Sequence, residues 1–245
     1  MDPDVHRSLV WCKDAGAELA EVKLARGHLS AVGSAIGADP VPYRLEYALT
    51  TGDDYATSSL RVHAFGVGWR RVLELRRDGA GRWEIFADAE GHLDAPSPGG
   101  EARLYGDALD CDLGLSPLTN TMPVRRHKLL TGGGPVELLT AWVSVPDLSV
   151  HPSRQRYTHV SANGDGAGDG ADDGAVIRFD SDDFTADIVF DRDGLVVDYP
   201  GIARLVGPAA SAAAGIDVAG TADLTKRAQR GDEPDGAAGD VLAAT

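Results

Sequence analysis

Several features are scarce in this 245-residue chain, and each scarcity excludes something. No stretch approaches the roughly 18 consecutive apolar residues of a membrane-spanning helix, so stable membrane insertion is not expected. Cysteine occurs twice, at Cys12 and Cys111. That is too few for a disulfide framework, and neither residue belongs to a CxxC pair, so two partly buried thiols are expected. The seven histidines form neither HxH nor HExxH, and zinc-ligand spacing is absent. There is no GxSxG elbow, no Walker-type loop and no GxGxxG opening a helix, so the sequence offers no cofactor site. Met1 to Arg7 opens with acids and a proline and carries neither a basic nor an apolar leader region, which reads as cytoplasmic. Lysine is scarce as well: it stands only at 13, 23, 128 and 226, and the other basic residues are arginine.

Acid is abundant. The net charge is −15 and the isoelectric point near 4.7. Such a surface repels nucleic acid, which is not expected as a partner. High acid content with few lysines also fits a chain adapted to high salt, where the Debye length shrinks to about 3 Å and self-repulsion is screened. Apolar residues make up 43% of the chain, enough for a substantial core.

The dominant pattern is alternation with period two. Residues 69–77, 82–88, 136–145 and 184–191 each place apolar side chains on one face, as half-buried strands do. Weaker strand signals lie at 8–12, 18–25, 28–36, 43–50, 57–66, 102–105, 124–130, 155–161, 175–180 and 194–199. Thr51-Gly52-Asp53-Asp54, Arg77-Asp78-Gly79-Ala80-Gly81 and Asp191-Arg192-Asp193-Gly194 supply hairpin turns between them. No segment shows a clear 3.6 period. The expected fold is mainly β: a single-domain, long, curled antiparallel sheet over residues 1–206, a roll or half-barrel around at most one short helix. Residues 163–174 read as a flexible acidic Gly-rich loop. They lack the Glu at position 12 of a calcium loop, and no metal is expected there. Residues 207–245 read as an acidic tail that does not pack.

The densest polar cluster runs from Asp110 to Arg126 and reads as a long shaped loop. Arg125 and Arg126 are expected to alternate at a strand start, one inward and one outward. An inward Arg near Asp110 or Asp112 would form a bidentate ion pair. Asp110-Cys111-Asp112 is formally the DxD of some glycosyltransferases, but that motif belongs in an α/β setting. Glu18 is expected to be solvated or paired with a cross-strand arginine, and the four tryptophans to be core.

The run Ser116-Pro117-Leu118-Thr119-Asn120-Thr121-Met122-Pro123-Val124-Arg125-Arg126 resembles the signature of the putative glycolipid-binding family. Trp11 with Gly16-Ala17-Glu18 resembles its opening. Ala141-Trp142-Val143-Ser144-Val145-Pro146 and Gln155-Arg156-Tyr157 resemble its middle, and Asp193 to Pro200 its closing strand. The likeness covers roughly residues 8–205. It implies a curled antiparallel sheet around a central helix, for which residues 104–118 are the natural place, and a likeness to bacterial carriers of lipoproteins and lipids. No catalytic residue comes with it. The candidate ligand-binding set is Asp112, Thr119, Asn120, Arg125, Arg126, Glu18, Trp142, Gln155 and Tyr157.

The leading expectation is a soluble binding protein whose sheet holds a lipid or glycolipid-like ligand in its concave face, with the 110–126 segment meeting the polar head. The alternatives are a protein-interaction scaffold without a small ligand, or an enzyme using Asp110 and Asp112 with Arg125 or Arg126.

Overall fold

Among the described residues, the alternation seen in the sequence becomes fourteen strands in one sheet. The computed structural model describes residues 4–162, 174–182 and 184–206. The acidic loop, apart from Gly174, and the tail 207–245 lie outside the described residues. The first half is a meander of β1 (Val5–Lys13), β2 (Gly16–Ala25), β3 (His28–Gly37), β4 (Tyr43–Thr51), β5 (Thr57–Gly66), β6 (Trp69–Arg77) and β7 (Trp83–Gly91). The second half comprises β8 (Asp110–Leu113), β9 (Val136–Val143), β10 (Val150–Ala162), β11 (Ala175–Ser181), β12 (Phe184–Phe190), β13 (Val196–Tyr199) and β14 (Ala203–Leu205).

The two meanders join where β1 pairs with β14, so the order runs from β7 down to β1, then from β14 down to β8. The sheet is curved and does not close on itself. Every pairing is antiparallel except the last, where β8 runs parallel to β9. β4 shows why these residues make strands: Tyr43, Leu45, Tyr47 and Leu49 are buried while Arg44, Glu46, Ala48 and Thr50 face out. On the outer face the exposed positions carry cross-strand ion pairs such as Arg70 with Asp88 and Glu90, and Arg178 with Asp187.

The inner face is covered by residues 100–131. Tyr105, Cys111, Leu118 and Met122 of this segment pack in one core cluster with Trp11, Leu60, Leu73 and Leu75 of the sheet, all fully buried. Each such large apolar side chain contributes roughly 1.5–3 kcal/mol by leaving water. A second cluster gathers Val124, Leu129, Tyr157, Phe179, Ile188 and Phe190. Hydrogen bonds fix the segment in place. The Tyr105 hydroxyl donates to Val150 O at 2.8 Å, and Trp83 Nε1 donates to Ala108 O at 3.1 Å. Thr57, opening β5, ties to the far edge strand: its N–H donates to Leu109 O at 2.8 Å, and its Oγ1 accepts from Cys111 N at 2.9 Å.

Four local expectations change. Residues 102–105 form a 3₁₀ turn (Ala102–Tyr105) instead of a strand. Residues 124–130 are not a strand either; they fall in the short helix α1 (Thr121–Arg126) and the 3₁₀ turn Leu129–Thr131. The helix therefore lies beyond the 104–118 stretch. Pro123 is tolerated there because the first helical turn has no intrahelical N–H bonds to lose. Of the two cysteines, Cys111 is buried as expected but Cys12 is exposed.

Candidate functional site

Between the loop that follows β8 and the ends of β10 to β13 lies a cavity of about 610 Å³, within the range of small-molecule sites. Asp112 on β8 lines it, held by neutral hydrogen-bond partners. Asp112 Oδ1 accepts from Thr119 Oγ1 at 2.7 Å, and Oδ2 accepts from Gln155 Nε2 at 2.6 Å. Behind them, the Tyr157 hydroxyl lies 2.9 Å from Asn120 Oδ1 and 3.3 Å from Gln155 Oε1. Its one proton goes to the nearer acceptor. Burial pushes the Asp112 carboxyl above its ordinary range; the Thr119 and Gln155 hydrogen bonds pull it down, and the charge of Asp110 adds to the rise. Tyr157 and Tyr199 are also pushed up, by burial first and then by the charge of Asp112.

The walls are aromatic. Phe179, Phe184 and Tyr199 stand with ring centroids 6.1 Å apart in each pair. Trp142, which pairs with Asp112 in the β8–β9 register, has its ring centroid 6.0 Å from that of His151. Serines 144, 153 and 181 add hydroxyls to the lining, and Asp39 and Asp182 add carboxylates. On the rim, Leu115 is 42% exposed and holds a left-handed backbone with φ of 62°. A branched residue rarely adopts that conformation.

Of the candidate residues, Asp112, Asn120, Trp142 and Gln155 line the cavity, and Thr119 and Tyr157 support them from behind. The two arginines do not line it. Because α1 is a helix, they do not divide inward and outward as strand neighbours would. Arg126 makes the expected two-point pair, with Asp110, through Nη1 to Oδ1 at 2.8 Å and Nη2 to Oδ2. Arg125 donates through Nε and Nη2 to the Tyr55 hydroxyl at 3.1 and 3.0 Å, and through Nη1 to Asp193 O at 3.0 Å.

Glu18 is buried, not solvated, and its partners differ from the expected arginine. It binds Lys13 Nζ at 2.6 Å and accepts from the Tyr47 hydroxyl at 2.8 Å and from Ser116 Oγ at 2.6 Å. Gly33 leaves the room that Tyr47 needs, since a Cβ there would run into its ring. Ser116 lines the cavity, so Glu18 anchors the cavity loop to the sheet. Trp11, Trp69 and Trp83 are core as expected, while Trp142 is only half-buried.

Sequence reasoning did not single out Phe179, Phe184, His151, Ser153 or Ser181. Their only signal was the face they share with core residues. Phe184, for example, alternates in step with Ala186, Ile188 and Phe190, and only the open end of the sheet separates it from them.

No curated protein matches this chain. The crystal structure of a DUF1089 family protein from Pseudomonas aeruginosa is similar to it, with a TM-score of 0.56 and 26% identity, covering 76% of this chain and 91% of that one. A family model described as "Putative glycolipid-binding" matches residues 8–204. With that match over most of its length, the chain belongs to the putative glycolipid-binding family.

Proposed function

We propose that this protein binds a glycolipid through its headgroup, in the cavity floored by Asp112 and Gln155, with no chemistry performed on it. The inner face of the sheet is filled by residues 100–131, so the ligand sits at the end of the roll and not along its concave face. The observation that carries the reading is the pairing of aromatic walls with a small polar set. Trp142, Phe179, Phe184 and Tyr199 offer flat faces to the apolar side of a sugar ring, and Asp112, Gln155 and the serines offer acceptors and donors to its hydroxyls. Leu115 on the rim, held in a costly backbone conformation, gives the first methylenes of the lipid chain an apolar surface to leave along.

Asp110 and Arg126, half of the acid–base set that an enzyme would need, satisfy one another in a buried pair. Arg125 is held by the Tyr55 hydroxyl and Asp193 O and does not line the cavity, so Asp112 stands there without a second ionisable partner from that set.

The test uses octyl glucoside below its micelle-forming concentration, followed by native mass spectrometry and tryptophan fluorescence. Stoichiometric binding is expected, with a fluorescence change that disappears in Trp142→Phe while binding persists. Failure to retain any alkyl glycoside or any lipid extracted from the host would overturn the proposal. A second reading, a protein-docking face, has one observation in its favour: Val10, Leu19, Val32 and Ile36 are exposed together on the outer face of β1 to β3. Leu19→Lys with Ile36→Lys would abolish such docking and leave glycoside binding intact.

A further inference from the structure

The buried carboxylates of this fold are handled in two ways. Glu18 has Lys13 at 2.6 Å, Asp110 has Arg126, and Asp191 has Arg7 at 3.5 Å. Asp147 has no cation among the described residues, but its oxygens accept from Ser144 Oγ at 2.8 Å and from Ser149 N–H at 2.7 Å within its own turn, and it does not line the cavity. Asp112, half-buried at the cavity wall, differs from all four. It lines the cavity, and both of its hydrogen-bond donors are neutral. A carboxylate accepts about four hydrogen bonds, so roughly two of its positions remain for a ligand. Leaving such a charge without a cation is expensive unless something supplies one.

The surroundings point the same way. The formal charges on the cavity lining are Asp39, Asp112 and Asp182, with no lysine or arginine lining it among the described residues. Trp142, Phe179, Phe184 and Tyr199 line the same space, and the electron-rich faces of aromatic rings attract cations. The net charge of −15 raises the local concentration of cations and repels anions before contact.

We infer that the headgroup is positively charged: an ammonium group, in glycolipid form an amino sugar, sits against Asp112 within the aromatic walls. This rests on the reading of the cavity as a headgroup site. It excludes phosphate, sulfate and uronate headgroups, which would meet three carboxylates and no lysine or arginine.

The experiment compares ligands with one chain length and different heads: octyl glucoside, octyl 2-amino-2-deoxyglucoside, octyl glucuronide and octyltrimethylammonium. Binding is measured by calorimetry below the pKa of the amine. A charged hydrogen bond replaces a neutral one, so the amino sugar should bind roughly tenfold more tightly than the neutral sugar. The glucuronide should be weakest. In Asp112→Asn, shown to be folded by circular dichroism, the preference for the amino sugar should collapse. Equal binding of the neutral and amino sugars, or tighter binding of the glucuronide, would overturn the charge inference and leave the headgroup site standing. No binding by any of the four would overturn both. Octyltrimethylammonium binding as tightly as the amino sugar would uphold the recognition of ammonium and assign it to a head without sugar. The wild-type series decides between these outcomes even if the variant does not fold.

Discussion

Arg126 and Asp110 face one another as a two-point ion pair between α1 and β8, their side chains only 8% and 3% exposed. The pair is walled in by the helix on one side and by the edge strand on the other. Its removal by halves should therefore be severe. Arg126→Ala leaves a buried carboxylate without its cation, and a loss of about 3–5 kcal/mol is expected by urea denaturation. Replacing both partners with apolar residues of similar size (Arg126→Met with Asp110→Leu) should recover most of that loss. A double-mutant cycle that finds the two changes additive would show that the pair is not coupled in this way.

The longer strands were legible in the sequence because each carries its own period-two pattern, which depends only on which face meets the core. β8, read as part of a shaped loop, and β14 were not, because four and three residues are too few to show a period. β4 and β6 needed no tertiary information. α1 was not legible, for two reasons. It spans six residues, too few to establish a period, and Thr121, Met122, Pro123 and Val124 are all buried, so no polar face alternates with an apolar one. The candidate site was legible in part for a similar reason. Asp112, Thr119 and Asn120 stand close together in the sequence as a conspicuous polar run. Phe179, Phe184 and Tyr199 reach the cavity only through the curl of the sheet, and a phenylalanine on a cavity wall has the same alternation as one in the core.

Cys111 lies under the Thr57 staple, where burial pushes its thiol up to about 12. In the fold the protonated thiol is favoured. Its contribution to stability is complete below the ordinary value of 9.0 and is lost as pH rises toward about 12. At mildly alkaline pH one thiol per chain, the exposed Cys12, should react with Ellman's reagent, and the second only after denaturant is added. Two fast equivalents in the native protein would show that the segment carrying Cys111 opens readily.

Thr121 is fully buried at the start of α1, and its hydroxyl has no hydrogen-bond partner among the described residues. The unfolded chain hydrates that hydroxyl, and among the described residues no protein group replaces that water in the fold. Thr121→Val removes the cost and nearly keeps the shape. It should leave stability unchanged or raise it by about 1 kcal/mol. A clear loss in the urea midpoint would mean that the hydroxyl has a bound water as its partner.

Asp112 gives the site a pH signature of definite sign. Unfolded, its carboxyl titrates near the ordinary 3.8; in the fold burial raises it despite the Thr119 and Gln155 hydrogen bonds. The folded state thus holds the Asp112 proton more firmly than the unfolded state. The stability that this group contributes is fully present below 3.8 and is lost as pH rises through its folded value. Other carboxylates titrate in the same range, so the measurement must be a difference. The stability of the wild type minus that of Asp112→Asn should be more favourable to the wild type in mild acid than at neutral pH, read from urea midpoints at several pH values. A saturating ammonium-bearing glycoside favours the ionised carboxylate, so it should weaken this trend, and octyl glucuronide should not. A difference that instead grows with pH would mean that the two hydrogen bonds outweigh burial and that the carboxylate is already satisfied without a ligand.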